Sequence, residues 1–254
     1  MKTIVLAQNT FREGLRDRIL LAVVVFGLLV LASGFVIGPL SLGEQTRITQ
    51  DVGLAAISAL CFLIAVLIGT GIVFKEIERK TIYTVFSKPV AGWELILGKF
   101  LGLSAIIGML TVGMSAVLLV VNLIISHQFH PGILIAILLI WMELILLIAL
   151  SILMSTLCSP VLGAVFTLIL YVIGHTSGDL KELAVRFGSP SVEVFSKIVY
   201  YALPNLEYLN VRGKVIHGVD VDASYILFAC AYALVYALVF LTLAALVVDR
   251  KEFK

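Results

Sequence analysis

The chain is short of charge and of cysteine, and each shortage excludes something. Of its 254 residues only 13% are charged, where a soluble domain carries about a quarter, while 61% are hydrophobic. With a mean hydropathy of +1.14, a water-soluble globular protein is excluded. The three cysteines are Cys61, Cys158 and Cys230, two inside apolar runs and one in the turn "CSP", with no C-x-x-C spacing. Neither an outward disulfide framework nor a redox or zinc motif is implied. A net charge of +2 is too small to argue for nucleic acid. Internal repeats and low-complexity tracts are absent as well.

What is present is a series of apolar runs. A helix rises about 1.5 Å per residue, so about 20 apolar residues cross a hydrocarbon core about 30 Å thick. Six stretches read as spans, at about residues 19–40, 52–74, 100–125, 133–154, 161–173 and 223–248, the fifth being short and starting after Pro160. The first begins late and is too long for the core of a cleaved signal peptide, so it reads as a span. The predicted fold is an all-α membrane protein, one transmembrane domain over residues 1–254.

Six spans put both termini on one side, together with Lys2, Arg12, Arg16, Arg18, Lys75, Arg79, Lys80, Lys88, Lys99, Arg250, Lys251 and Lys254. Lys and Arg gather on the cytoplasmic side, which orients the chain. The opposite side holds Arg47 and, in a loop of about 50 residues where the rule weakens, Lys181, Arg186, Lys197, Arg212 and Lys214.

Two stretches outside the spans carry helical spacing. In residues 1–18, Ile4, Ala7, Phe11 and Leu15 recur on one face with Lys2, Asn9, Arg12, Glu13 and Arg16 around the rest, which predicts a helix along the inner membrane surface. The bland reading is a loosely ordered, positively charged start. In the outward segment, residues 175–222, Val192, Phe195, Val199 and Ala202 share a face and Tyr200 and Tyr201 add amphipathic rings, predicting a short interfacial helix ended by Pro204. "RGKVIHG" then reads as a turn with a brief extended piece.

The third stretch is a charged block, "FKEIERKTIYTVFSKPVAGWELILGK". Glu76 and Lys80 are four apart in the favourable order for a helical ion pair, Ile82, Val85 and Phe86 share a face, and Pro89 breaks the helix. A second helical piece from Trp93 leads through Gly98 and Lys99 into the third span. A solvated loop needs only basic residues; the interleaved Ile82, Tyr83, Val85, Phe86 and Trp93 favour a docking element. Its end, "GWELILGKF", is not a phosphate loop: five residues separate the glycines, and Phe100 stands where a Ser or Thr must reach magnesium.

Few residues inside the spans carry chemistry. Glu143, in "WMELILL", would cost roughly 2.5–3.5 kcal/mol ionised against lipid, so it should face the bundle or a wet cavity. It reads equally as a substrate or proton contact and as a hydrogen-bonded tie between spans through a Ser, a Thr or Asn122. His127, His130, His175 and His217 all fall on the predicted outer side. "HQFH" has a spacing two metal ligands can use on a helix, but no Cys or carboxylate completes a site, so loop histidines are the better reading. Gly98 and Gly102 have the four-residue spacing of a close helix contact, without saying which helix is the partner.

The succession E-x-E-R-K-T, then S-K-P-V, then "GK" at the mouth of the third span resembles the loop between spans two and three of type-two ABC transporter permeases. "TFRE" near the start, six spans and "LPNLEYLN" before the sixth look similar to the same superfamily, in particular its branch of nitrous-oxide reductase (copper-enzyme) maturation permeases. The resemblance covers essentially the whole chain. It implies a six-helix permease in a bacterial inner membrane, paired with a second permease copy and two cytosolic ABC ATPase subunits. It makes residues 75–99 the coupling segment, with Glu76, Glu78, Arg79, Lys80, Thr81, Ser87 and Pro89 at or near the ATPase contact. ATP and magnesium would then bind the ATPase, leaving this chain no cofactor or catalytic residue, and the segment 175–222 would dock a periplasmic partner. A secondary transporter would need matched broken helices and more than one charged midplane site, and a passive scaffold would not need a stiff cytoplasmic block.

Overall fold

Hydrocarbon offers no partner to a backbone N–H or C=O, so a chain that crosses it closes its hydrogen bonds within helices. The computed structural model describes residues 2–37, 44–74, 91–126, 131–187 and 203–252, and among these no strand occurs. In chain order come α1 (Lys2–Leu15), α2 (Arg18–Ile37), α3 (Gln45–Ile72), α4 (Gly92–Ser126), α5 (Gly132–Leu157), α6 (Pro160–Phe187), a 3₁₀ turn (Leu206–Leu209), α7 (Arg212–Ile216) and α8 (Ala223–Glu252).

Five helices are long and apolar enough to cross a bilayer, namely α3, α4, α5, α6 over Pro160–Gly178 and α8 over Ala223–Arg250. α2 adds a shorter apolar stretch, Leu20–Val30; the expected first span, residues 19–40, runs on beyond the described residues. α5 is the hub. Every residue from Glu143 to Leu153 is buried, which a helix achieves only when neighbours cover all its faces. Those neighbours are α3, α4, α6 and α8, with α2 outside α3 and α4.

Close contacts give the directions. Gly53 lies against Leu118, Gly69 against Leu103, and Thr111 reaches Cys61, so α3 and α4 run antiparallel. α5 runs parallel to α3, with Gly69 against Ser151, and α6 folds back on α5, with Gly163 beside Met154. The end of α3 and the start of α4 therefore share one end of the bundle, where Gly92 also meets Asp249 of α8.

α4 answers the question of the paired glycines. A Cβ at Gly98 would lie 2.6 Å from Cβ of Leu6, and one at Gly102 would lie 2.6 Å from the carbonyl oxygen of Ala7 and from Cβ of Thr10. Gly14 in turn faces Ile106. α1 is thus seated on α4 through small residues on both sides, the arrangement that brings two backbones close. Its docked face is not the expected stripe alone: Thr10 and Gly14 are buried, while Ile4 and Leu15 stay exposed. The two ends of the apolar stripe are left over beside the α4 contact, while Ala7 lies at that contact and Phe11 packs on the core.

Three sequence expectations change. The fifth span does not stop near residue 173. α6 continues to Phe187 because "DLKELAVRF" is rich in helix formers and holds no proline until Pro190 follows. "RGKVIHG" is not a turn with an extended piece but one helical turn, α7. Gly218, at φ 69°, ends it, with Val219 N–H bonded to Lys214 O at 2.9 Å and Gly218 N–H to Val215 O at 3.1 Å, a Schellman closure that needs glycine at the left-handed position. Lys99, expected at the mouth of the third span, is buried within α4, which already starts at Gly92. The expected outward helix over residues 191–202 lies outside the described residues.

α8 starts at an exposed cap. The Asp222 carbonyl accepts Ile226 N–H at 3.2 Å, and its carboxylate accepts the Ser224 hydroxyl. That hydroxyl, helped by the Ser224 and Ala223 amides, holds the Asp222 carboxyl below its ordinary value of 3.8. The sign follows: the cap's contribution is complete above the unfolded value and is lost as pH falls through the lowered one. Acidification below about pH 4 should fray the first turn of α8 in the wild type and not in Asp222→Ala, read from the Ser224 and Tyr225 amide signals. At the α1 contact, Gly102→Val should cost about 1–3 kcal/mol in detergent unfolding. Gly113→Ala, where a Cβ meets nothing within 4 Å, should be neutral.

Candidate functional site

Residues 75–90 fall outside the described residues, and with them Glu76, Glu78, Arg79, Lys80, Thr81, Ser87 and Pro89; so do His127 and His130. Both flanks are described. Upstream, α3 gives way at Val73 and Phe74; downstream, α4 opens with Ala91 N–H donating to Glu94 Oε2 at 3.3 Å while Glu94 N–H returns to Ala91 O at 2.9 Å. The Glu94 side chain thus satisfies the amide that precedes the helix, half of a capping box, while Glu94 N–H closes a backbone bond of the 3₁₀ type onto Ala91, which has no side-chain acceptor to offer. α4 then runs 35 residues without a break, about 52 Å at 1.5 Å per residue, so it exceeds a membrane core of about 30 Å.

Inside the bundle, Glu143 is 3% exposed and bonds through Oε1 to Nε2 of His175 at 2.9 Å. It stands about 16 Å along α5 from Gly132, near mid-membrane. The sequence alone puts His175 in the outer loop, because the apolar run ends near residue 173; α6 carries it into the candidate span instead. One turn earlier on α6, Tyr171 stacks on Phe62 of α3 at 4.0 Å between ring centroids and meets the His175 ring edge-on at 4.5 Å. The chain Phe62–Tyr171–His175–Glu143 thus ties α3, α6 and α5. A signal was available: Tyr171 and His175 are four apart, hence on one helical face. An imidazole N–H, neutral or charged, offsets the carboxylate's desolvation.

Asn122 is not the partner of Glu143. It is buried at the other end of α4 and accepts Gln50 Nε2–H of α3 at 3.0 Å. Among the described residues no group of three or more His, Cys, Asp or Glu gathers as metal ligands do. His217 turns back on its own chain, its Nδ1 2.8 Å from Gly213 O.

The end of the bundle opposite the α3–α4 connection is closed by "LPNLEYLN". Leu206, Leu209 and Val211 are buried, with Leu206 filling the space beside Gly174, where a Cβ would approach its Cγ to 2.8 Å. Irregular backbone is tolerated at such depth only when its polar groups are answered. Here Tyr232 OH accepts Asn205 N–H at 2.8 Å, Asn205 Oδ1 accepts Glu207 N–H at 2.9 Å, and Tyr225 OH donates to Tyr208 O at 2.8 Å.

A helical bundle with spans of this length, a fully covered hub and buried polar pairs at two depths is a multi-pass membrane protein. The chain belongs to the ABC-2 family of transporter proteins, whose family model matches residues 4–253. It is a membrane permease component of an ABC transporter, and membership implies an ABC ATPase partner in general. No curated protein sequence matches the chain.

The buried pair yields an asymmetric prediction. His175→Ala, which strands the carboxylate, should lower unfolding stability in bilayer-like detergent by about 1–2 kcal/mol. Glu143→Gln keeps an acceptor and removes the charge, so it should cost less than half as much. Equal losses would mean the contact is packing alone.

Proposed function

We propose that this chain is the membrane subunit of an ATP-driven transporter in which residues 75–99 receive the motion of cytosolic ATPases. Glu76, Glu78, Arg79, Lys80, Thr81, Ser87 and Pro89 form or border that contact. Two ATPase subunits serve two copies of this chain, and ATP and magnesium stay with the ATPase, so the chain itself catalyses nothing. It lies in a bacterial cytoplasmic membrane with both termini inside and crosses six times, α2 being the first span. α1 lies on the inner surface, Ile4 and Leu15 toward lipid. The work delivered is export of a substrate or mechanical transmission to a periplasmic partner at residues 175–222, with the path between the two copies and α3 and α6 lining it.

One observation carries the reading. A compact charged, aromatic-bearing block of the sequence joins two antiparallel helices at the same end of the bundle, and both of them, α3 and α4, pack on the hub. A push there reaches the core through rigid elements. Co-purification with the cognate ATPase tests it: the wild type should retain the ATPase, and alanine at Glu76, Glu78 and Arg79 together should lower retention about tenfold or more, three charges at a contact being worth on the order of 1.5–3 kcal/mol. Undiminished retention and unchanged ATP turnover in the triple variant would overturn the proposal.

A further inference from the structure

Buried hydroxyls in this bundle mostly bond within their own helix. Thr70, Thr111, Ser151, Thr156, Thr167 and Ser177 each donate to a carbonyl three or four residues earlier, the usual outlet for a hydroxyl in an apolar helix. Ser155 differs. Its Oγ accepts two backbone N–H groups from the end of another helix, Val73 at 3.1 Å and Phe74 at 3.0 Å, and the residue is 1% exposed.

Its position gives the bond meaning. Val73 caps α3, and Phe74 leads directly into the charged block. α5 ends at Leu157, Cys158 is extended at φ −131°, ψ 172°, and α6 begins at Pro160. One hydroxyl therefore joins the elbow of α3 to the turn between α5 and α6. The surrounding contacts leave little slack: a Cβ at Gly69 would lie 2.7 Å from Cβ of Ser151, and one at Gly163 would lie 3.4 Å from both Met154 and Thr70. Helices this close move together, because packed interiors shift between discrete arrangements and do not deform continuously.

We propose that Ser155 is a positioning residue for coupling: it makes the α3 elbow and the α5–α6 hairpin one mechanical unit, so that force entering after Phe74 moves α5 and α6 and is not absorbed by bending α3. The inference rests on the reading of residues 75–99 as the ATPase contact. Without the hydroxyl, two buried N–H groups lose their acceptor and the elbow is free to re-form on its own helix.

Cys158, a free half-buried thiol three residues on, reports on the turn. In a Cys61→Ala, Cys230→Ala background, the chain and its ATPase are reconstituted in nanodiscs, and Cys158 labelling by a charged maleimide is timed without nucleotide and with ATP and vanadate. The wild-type background should show a nucleotide-dependent change in rate. Ser155→Ala should shrink that change about threefold or more while ATPase retention and ATP turnover hold, and Ser155→Thr, which keeps the acceptor, should restore it. In the isolated chain the Val73 and Phe74 amides should exchange roughly tenfold faster in Ser155→Ala. A full Cys158 response in Ser155→Ala, or a Thr variant as weak as the Ala variant, overturns the role of the hydroxyl and leaves the ATPase contact standing. A wild-type chain that retains no ATPase overturns both.

Discussion

A backbone polar group placed in hydrocarbon has to be answered from inside the chain, and a buried charged or amide side chain costs free energy unless it is, because no water is there to do it. The bundle is arranged around a small number of such answers. Gln50 is met by Asn122 between α3 and α4, Glu143 by His175 between α5 and α6, and the N–H groups of Val73 and Phe74 by Ser155 between α3 and α5. Apolar packing alone does not choose among helix arrangements in lipid, since the tails outside are as apolar as the side chains inside. These pairs do choose, each joining one helix to one neighbour at one depth.

The uneven cover of the helices follows. In their apolar windows α3 and α5 are 67% buried, whereas α6 and α8 are 22% and 28% buried. Exposed apolar faces are ordinary where lipid covers them, yet α6 is also tied to the hub by a buried carboxylate. α6 is held to the core at two levels, at its start by the α5–α6 turn and deeper in the bundle by Glu143–His175, Phe62–Tyr171 and Leu206 beside Gly174. Its opposite face, with Val161, Val165 and Leu168, stays exposed.

Much of this was legible in the sequence. The apolar runs predict α5 and α8 to within a few residues and locate α3 and α4, which start seven or eight residues before their runs, because a span leaves a length signal that no soluble element matches. The continuation of α6 was not legible from hydropathy: "HTSGDLKELAVRF" stops being apolar at residue 175 but never stops favouring a helix. That one difference hid His175 from Glu143. Gly98 and Gly102 announced a close contact, yet only the fold assigns it to α1, since glycine spacing marks a groove and not its occupant. Glu143 stood out as a lone carboxylate in a span; Ser155 did not, because a serine among many becomes distinctive only through the two amides it meets.

On the proposed function, motion from a partner ATPase enters between α3 and α4. A photocrosslinking residue at Arg79, activated in intact cells, tests it most directly, with Val161 on the exposed face of α6 as the comparison. The account predicts a crosslink from Arg79 to an ABC ATPase and none from Val161. An Arg79 probe that captures no ATPase in cells where the transporter is active would contradict it.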